Sequence, residues 1–141
     1  MSARFKSDEE REEFLAEPRL AILITNREDN SPIGVPVWFD WDGAVVRMFA
    51  AKGSLKLRRI EQDPRVSVLV TNHMGEPEGW VSFDGVVEVS DGGTSDVIAR
   101  MGPRYWDLSD PKLKATLDLW TQSDEALALM TLKPDRIRSG A

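Results

Sequence analysis

The chain has 141 residues, no cysteine and one histidine, with 41% hydrophobic and 30% charged residues and a net charge of −6 at pH 7. A domain of this length buries about two-thirds of its unfolded surface, so a core forms without staples, and the missing cysteines exclude disulfides, thiolate zinc sites, iron–sulfur clusters and a cysteine nucleophile. The negative charge repels a polyphosphate backbone, and the opening Met1-Ser2-Ala3-Arg4-Phe5 lacks an apolar signal core. No apolar run approaches the roughly 18 residues of a membrane-spanning helix. The expectation is one domain over residues 1–141, cytoplasmic, binding neither nucleic acid nor membrane and holding no metal.

Ser7 followed by Glu10 is a capping-box signature, and Phe14 with Leu15 predicts a short acidic helix ending before Pro18. Residues 20–25 form an apolar run too short for a buried helix, and 26–32 are rich in turn formers. A second strand is expected at 33–39. Trp41-Asp42-Gly43 carries an Asp-Gly pair suited to a tight hairpin, which predicts pairing of that strand with a third at 44–51. Leu55, Leu57 and Ile60 fall near helical spacing over 54–62, and Asp63-Pro64 ends that helix.

Strands follow at 65–71 and 79–90, separated by a loop at 73–78. In the second of these, Val81 and Phe83 alternate with Ser82 and Asp84, and Gly85 marks a bend or bulge. A turn at 91–94 leads into a weak helix through Met101. Asp110-Pro111 opens a stronger helix with Leu113, Leu117 and Trp120 on one face, and a strand at 126–133 precedes a tail at 134–141. Six strands, with helices confined to the connections, predict a mainly β fold, an antiparallel barrel and not a doubly wound sheet.

With one histidine and no cysteine, nucleophilic triads and histidine metal sites fail by counting, and no catalytic side chain is singled out. His73 sits in a polar loop, where an exposed structural role is favoured over a proton relay. The acid pairs Glu9/Glu10, Glu12/Glu13 and Glu76/Glu78 read as solvated faces. The most informative stretch is Ala50-Ala51-Lys52-Gly53-Ser54-Leu55-Lys56, which runs from a strand end into a helix start. Ser54 is a natural N-cap, Gly53 permits close approach to the backbone, and the free N–H groups of a first helical turn favour an anion beside Lys52 and Lys56. On this physics an anion site and a merely basic surface helix are equally supported. Val35-Pro36-Val37-Trp38-Phe39 places a proline inside an apolar strand, which marks an edge or bulge whose backbone groups are open to a ring. Alternatively, Val37 and Phe39 line the barrel while Trp38 covers a helix or a second copy.

Both segments, in this order and separation, resemble the pyridoxamine-phosphate-oxidase-like split-barrel family of flavin and deazaflavin oxidoreductases. Phe14-Leu15-Ala16-Glu17-Pro18-Arg19, Asp63-Pro64-Arg65-Val66-Ser67 and the Trp80-Val81 to Gly85 stretch are similar to its pattern as well. The resemblance implies a six-stranded, Greek-key split β-barrel and a homodimer, with FMN or a deazaflavin (coenzyme F-420) at the subunit interface. It sets the ring against Val35, Pro36, Val37, Trp38 and Phe39, the phosphate at Lys52, Gly53, Ser54 and Lys56, and Trp80 beside the cofactor. Hydride transfer to a small conjugated substrate then belongs to the ring, and the protein orients it. The tail Asp135-Arg136-Ile137-Arg138 lacks the Arg-x-His motif of members that oxidise pyridoxamine phosphate, Phe49-Ala50 stands where those have Tyr-Thr, and Trp80 replaces a glutamine, so that reaction is not expected. Pro36-Val37-Trp38-Phe39 and the lysine-rich turn are most similar to small deazaflavin-dependent reductases. The alternative is a non-catalytic flavin or haem binder, or a cofactor-free interaction barrel. The five tryptophans exceed what one small barrel readily hides, which also predicts a dimer, and Trp38, Trp80 and Tyr105-Trp106 are expected to line the acceptor face.

Overall fold

In Ala21–Asn26 (β1) the buried residues are Ala21, Leu23 and Thr25, and in Arg65–Thr71 (β5) they are Val66, Val68 and Val70. A period of two puts one face of each strand in a core and leaves the other half-exposed. Val46–Ala51 (β4) buries Val46, Met48 and Ala50 in the same way, and Trp80–Asp91 (β6) sends Val81 and Phe83 inward. The computed structural model, which describes residues 5–140, joins these strands with Pro32–Val37 (β2), Asp40–Trp41 (β3) and Leu127–Gly140 (β7) into one antiparallel sheet of seven, in the order β2-β1-β5-β6-β7-β4-β3.

Laid flat, such a sheet holds its edge strands about 29 Å apart. Here the edges, β2 and β3, are linked only through Trp38 and Phe39, a connection spanning at most about 11 Å. The sheet therefore curls until its edges meet around a core that includes Leu23, Phe39, Met48, Phe83, Met130 and Leu132. Asp40 pairs with Arg47 and Trp41 with Val46. That register, continued back along the chain, sets Trp38 opposite Phe49, and their rings lie 6.2 Å apart. β2 instead pairs with β1, from Ala21 opposite Val37 to Asn26 opposite Pro32. β2 and β4 share no ladder, and the barrel wall is split between them.

The split corrects two expectations. The strand at 33–39 does not form a hairpin with 44–51: the hairpins are β1–β2 and β3–β4. The break at Trp38-Phe39 turns the expected six strands into seven, because the Phe39 N–H donates to the Tyr105 hydroxyl at 3.2 Å and has no strand partner. A third correction concerns the tail, which continues β7 to Gly140, opposite Trp80 on β6; Ala141 lies outside the described residues, as does the segment 1–4. The long pairing is admitted by a bulge between Asp84 and Gly85. A Cβ at Gly85 would stand 2.9 Å from Leu132 Cδ1 and 3.1 Å from the Lys133 carbonyl oxygen, so only glycine lets β7 pass this closely.

The helices occupy the connections. Asp8–Ala16 (α1) is capped as expected, Ser7 Oγ accepting from the Glu10 N–H at 3.2 Å, while the Glu10 carboxylate reaches the Lys6 N–H at 2.8 Å. Leu55–Gln62 (α2) carries the chain from β4 to β5. Thr94–Tyr105 (α3) runs past Met101 because Gly102 lets it lie against Leu117 of Pro111–Thr121 (α4). Among the described residues no helix is long and apolar enough to cross a membrane.

Candidate functional site

β4 ends at Ala51, opposite Leu127, and the Lys52 N–H donates to the Ala126 carbonyl at 3.0 Å. Gly53 then takes φ +82, with open space where a side chain would begin. This is a left-handed conformation that glycine adopts at no steric cost. The turn closes with the Ser54 N–H on the Ala51 carbonyl at 3.1 Å, and α2 begins with the Arg58 N–H on the Ser54 carbonyl at 3.2 Å. The N–H groups of Leu55, Lys56 and Leu57 thus precede the first helical bond and have no intrahelical partner. Ser54 holds the N-cap position in its backbone, yet its hydroxyl caps none of them: Ser54 Oγ is buried and has no hydrogen-bond partner among the described residues. Such an orphaned hydroxyl costs about 1–3 kcal/mol.

The charges around it are one-sided. No acid stands in the first turn of α2. Lys52 Nζ lies 3.3 Å from Asp91 Oδ1 at an exposed position, where such a pair is weak, and Lys56 has no ion pair among the described residues. A buried hydroxyl, orphan N–H groups and two lysines are donors of the kind that satisfy an anion, and the open glycine leaves the backbone approachable. The structure therefore brings Lys52, Gly53, Ser54 and Lys56 together.

Across the split lies the other expected segment. In β2, Val35 is half-buried, Pro36 exposed and Val37 buried, and the strand edge away from β1 has no ladder partner. Trp38 and Phe39 are already engaged. Phe39 is fully buried; the Tyr105 hydroxyl that accepts from its N–H donates to the Arg19 carbonyl at 2.7 Å, and Arg104 reaches the Phe39 carbonyl at 3.4 Å. Burial raises the pKa of Tyr105, which keeps it a neutral donor. Trp38 stacks on the Tyr105 ring at 4.8 Å and 5°, with Trp106 edge-on at 4.8 Å and Trp120 at 5.6 Å. Trp41 packs on Phe83 at 4.7 Å while its Nε1–H donates to Glu12 at 2.6 Å. None of the five tryptophans is fully exposed. The expected surplus of surface tryptophans is absorbed by α3, α4 and α1 for Trp38, Trp41, Trp106 and Trp120, and Trp80 alone stays on the outer face of the sheet.

Trp80 lies elsewhere. It opens β6, whereas Asp91, the residue that meets Lys52, closes it, so the length of that strand separates Trp80 from the lysine turn within one chain. Trp80 lines a concavity of about 380 Å³ on the outer face of the sheet, with Ile24, Ser67, Leu69, Thr71, Ser82 and Arg138. Beneath it, Asp84 accepts from Ser67 at 2.7 Å, from Ser82 at 3.1 Å and from Arg138 Nε at 2.5 Å. The Arg138 hydrogen bond, reinforced by the two hydroxyls, lowers the Asp84 pKa to about 2. Sequence reasoning missed this network because it treated residues 134–141 as a tail; the signal was the spacing of Arg136 and Arg138, matched by that of Ser82 and Asp84. Tyr105 as a backbone ligand had no local signal. His73 stands exposed on a loop held by the buried Arg19 through its ion pair with Glu76. No cluster of metal-ligating side chains occurs among the described residues.

The family described as pyridoxamine 5'-phosphate oxidase matches residues 7–138. No curated protein matches the sequence. Among solved structures, an F420 reductase is 23% identical with a TM-score of 0.72, over 90% of this chain and 94% of its own. A haem storage protein from Vibrio cholerae is 20% identical with a TM-score of 0.72, over 95% and 94%. A FAD-binding protein from Mesorhizobium loti is 23% identical with a TM-score of 0.64, over 99% and 96%. At these identities the solved structures establish the shared fold.

Proposed function

This chain belongs to the pyridoxamine 5'-phosphate oxidase family, and we propose that it is an oxidoreductase that anchors a flavin-type cofactor, FMN or a deazaflavin, by its phosphate at the Lys52–Lys56 turn. The observation that carries this reading is the buried, partnerless Ser54 Oγ at the start of α2. A phosphate oxygen accepting from that hydroxyl and from the free N–H groups of the first turn satisfies every orphan at once. Lys56 and Lys52 add the positive charge, the latter by exchanging its exposed pair with Asp91 for the ligand.

When bound, the cofactor supplies hydride transfer, and the side chains bind and orient it. The edge of β2 away from β1 offers those backbone polar groups of Val35, Pro36 and Val37 that β1 does not take, Pro36 having only its C=O, to the polar rim of a ring. The stack of Trp38 on Tyr105, closed by Phe49, Trp106 and Trp120, walls the end of the split against water. The acceptor is a small conjugated molecule such as a quinone or enone, which takes the hydride together with a proton from solvent. The tail has no histidine to complete an Arg-x-His motif, so pyridoxamine phosphate is not the substrate. A homodimer belongs to the same reading, because Ile22, Ile24, Leu69 and Trp80 stand half-exposed on one outer face of the sheet, and a second copy there removes that apolar surface from water.

The test is anaerobic reoxidation of reduced FMN and of reduced deazaflavin, each with a panel of quinone and enone acceptors. One donor is expected to bind and to be reoxidised only in the presence of both protein and acceptor. Binding without turnover would contradict the enzymatic part and leave a cofactor carrier; absence of binding by either donor would overturn the whole reading.

A further inference from the structure

We infer that Asp91 sets the charge of the phosphate that the lysine turn accepts, tuning it for a singly charged phosphodiester over a doubly charged phosphomonoester. The inference rests on the phosphate reading of that turn and decides between the two cofactors that reading admits, because the phosphate of FMN is a terminal monoester and that of coenzyme F-420 a diester.

The position of Asp91 is built into the sheet. It stands opposite Ala128 on β7, and Ala128 stands opposite Ala50 on β4, two residues before Lys52. Gly92 and Gly93 follow with φ +76 and +77, a left-handed pair that turns the chain away into α3 and leaves Asp91 as the last residue of its strand. The carboxylate therefore meets the turn from the β6 side, with Oδ1 3.3 Å from Lys52 Nζ. Among the described residues it is the one acid paired with a lysine of this turn, and no acid stands in the first turn of α2. Asp91 closes β6 whereas Trp80 opens it, so the carboxylate is remote from the face assigned to a second copy.

The charges at the turn give the preference. Lys52 and Lys56 are opposed by the Asp91 carboxylate, so an incoming anion meets a single net positive charge. The attraction of that field grows in proportion to the charge of the anion, whereas the cost of taking the anion out of water grows with its square. A diester is neutralised by the turn; a monoester leaves one charge uncompensated beside Asp91 and loses far more hydration. Ser54 Oγ and the orphan N–H groups serve either ester. A diester also continues beyond its phosphate, and the turn leaves room for the second arm. Nothing lies within 4 Å of a Cβ at Gly53, and a hollow of about 520 Å³ opens at Leu55, the first residue of α2. Arg58 and Arg59, a turn further along the helix, line that hollow together with Glu28 and Asp29.

The test keeps the ring constant and changes only the phosphate. FMN is compared with its phosphate monomethyl ester, and riboflavin serves as the neutral reference. Binding to the full-length protein is followed by flavin fluorescence at about pH 8, where the monoester carries about two charges and the methyl ester one. The wild type is expected to hold the methyl ester at least as tightly as FMN. Asp91→Asn is expected to move the ratio of the two dissociation constants toward FMN by about two- to five-fold, the range that one exposed ion pair supplies, and Asp91→Glu, which keeps the charge, to retain the wild-type ratio. Tighter binding of FMN than of the methyl ester by the wild type, or a ratio that Asp91→Asn leaves unchanged, would overturn the inference and leave the phosphate at the turn. If neither ester binds better than riboflavin, the phosphate reading falls and the inference falls with it.

Discussion

The Tyr105 hydroxyl donates to the Arg19 carbonyl and accepts from the Phe39 N–H, so one phenol ties the end of α3 to the segment before β1 and to the break between β2 and β3. Tyr105→Phe keeps the ring stacked on Trp38 but leaves a part-buried N–H without a partner. It is expected to cost about 1–3 kcal/mol in urea unfolding, with near-UV circular dichroism of the aromatic cluster retained; an unchanged midpoint would show that the break holds without the phenol. Asp84 and Asp42 act through charge. Arg138 lowers Asp84 to about 2, and the Val45 N–H, followed by Arg47, lowers Asp42 to about 2. Both folded values lie below the unfolded value of about 4. Their stabilisation is therefore complete above pH 4 and disappears as the pH falls toward 2. Thermal melts across that window are expected to flatten in Asp84→Asn and Asp42→Asn, and a wild-type slope in both variants would refute the assignment.

At the scale of elements, α3 and α4 form the lid over the aromatic cluster, and their closeness depends on Gly102. A Cβ there would sit 2.8 Å from Leu117 Cδ1. Gly102→Ala is expected to destabilise by about 1–3 kcal/mol through overpacking, despite the better helix propensity of alanine; a stabilised variant would mean that α4 shifts freely. The strands and helices were legible where periodicity is local. Ser7 with Glu10, the period of two in β1 and β5, and Asp63-Pro64 after α2 each announce themselves within a few residues. What could not be read were choices among distant partners. Nothing in residues 33–39 says that their first half pairs with β1 and their end with an α3 hydroxyl 66 positions away. Nor does the tail reveal that it lies opposite residues 80–85, because its apolar alternation is interrupted by the bulge and by outward-facing arginines.

For the whole molecule, the lysine turn was legible because a strand end, a glycine, a serine and two lysines fall within six consecutive residues, whereas the outer-face concavity draws on residues from β1, β5, β6 and β7 and has no linear signature. The same face predicts association. Sedimentation equilibrium at micromolar concentration is expected to give a dimer, and Trp80→Asp a monomer with an unchanged fold; a monomeric wild type would leave the outer face open to solvent. The cofactor reading rests on the turn itself. Its most direct measurement is the affinity of FMN and of deazaflavin for the wild type and for the Lys52→Ala, Lys56→Ala double variant, followed by absorbance and fluorescence. The account predicts that the wild type binds at least one of them and that each lysine removed weakens binding by about 1–3 kcal/mol, as for charged hydrogen bonds. Equal affinity in the wild type and the double variant would contradict it.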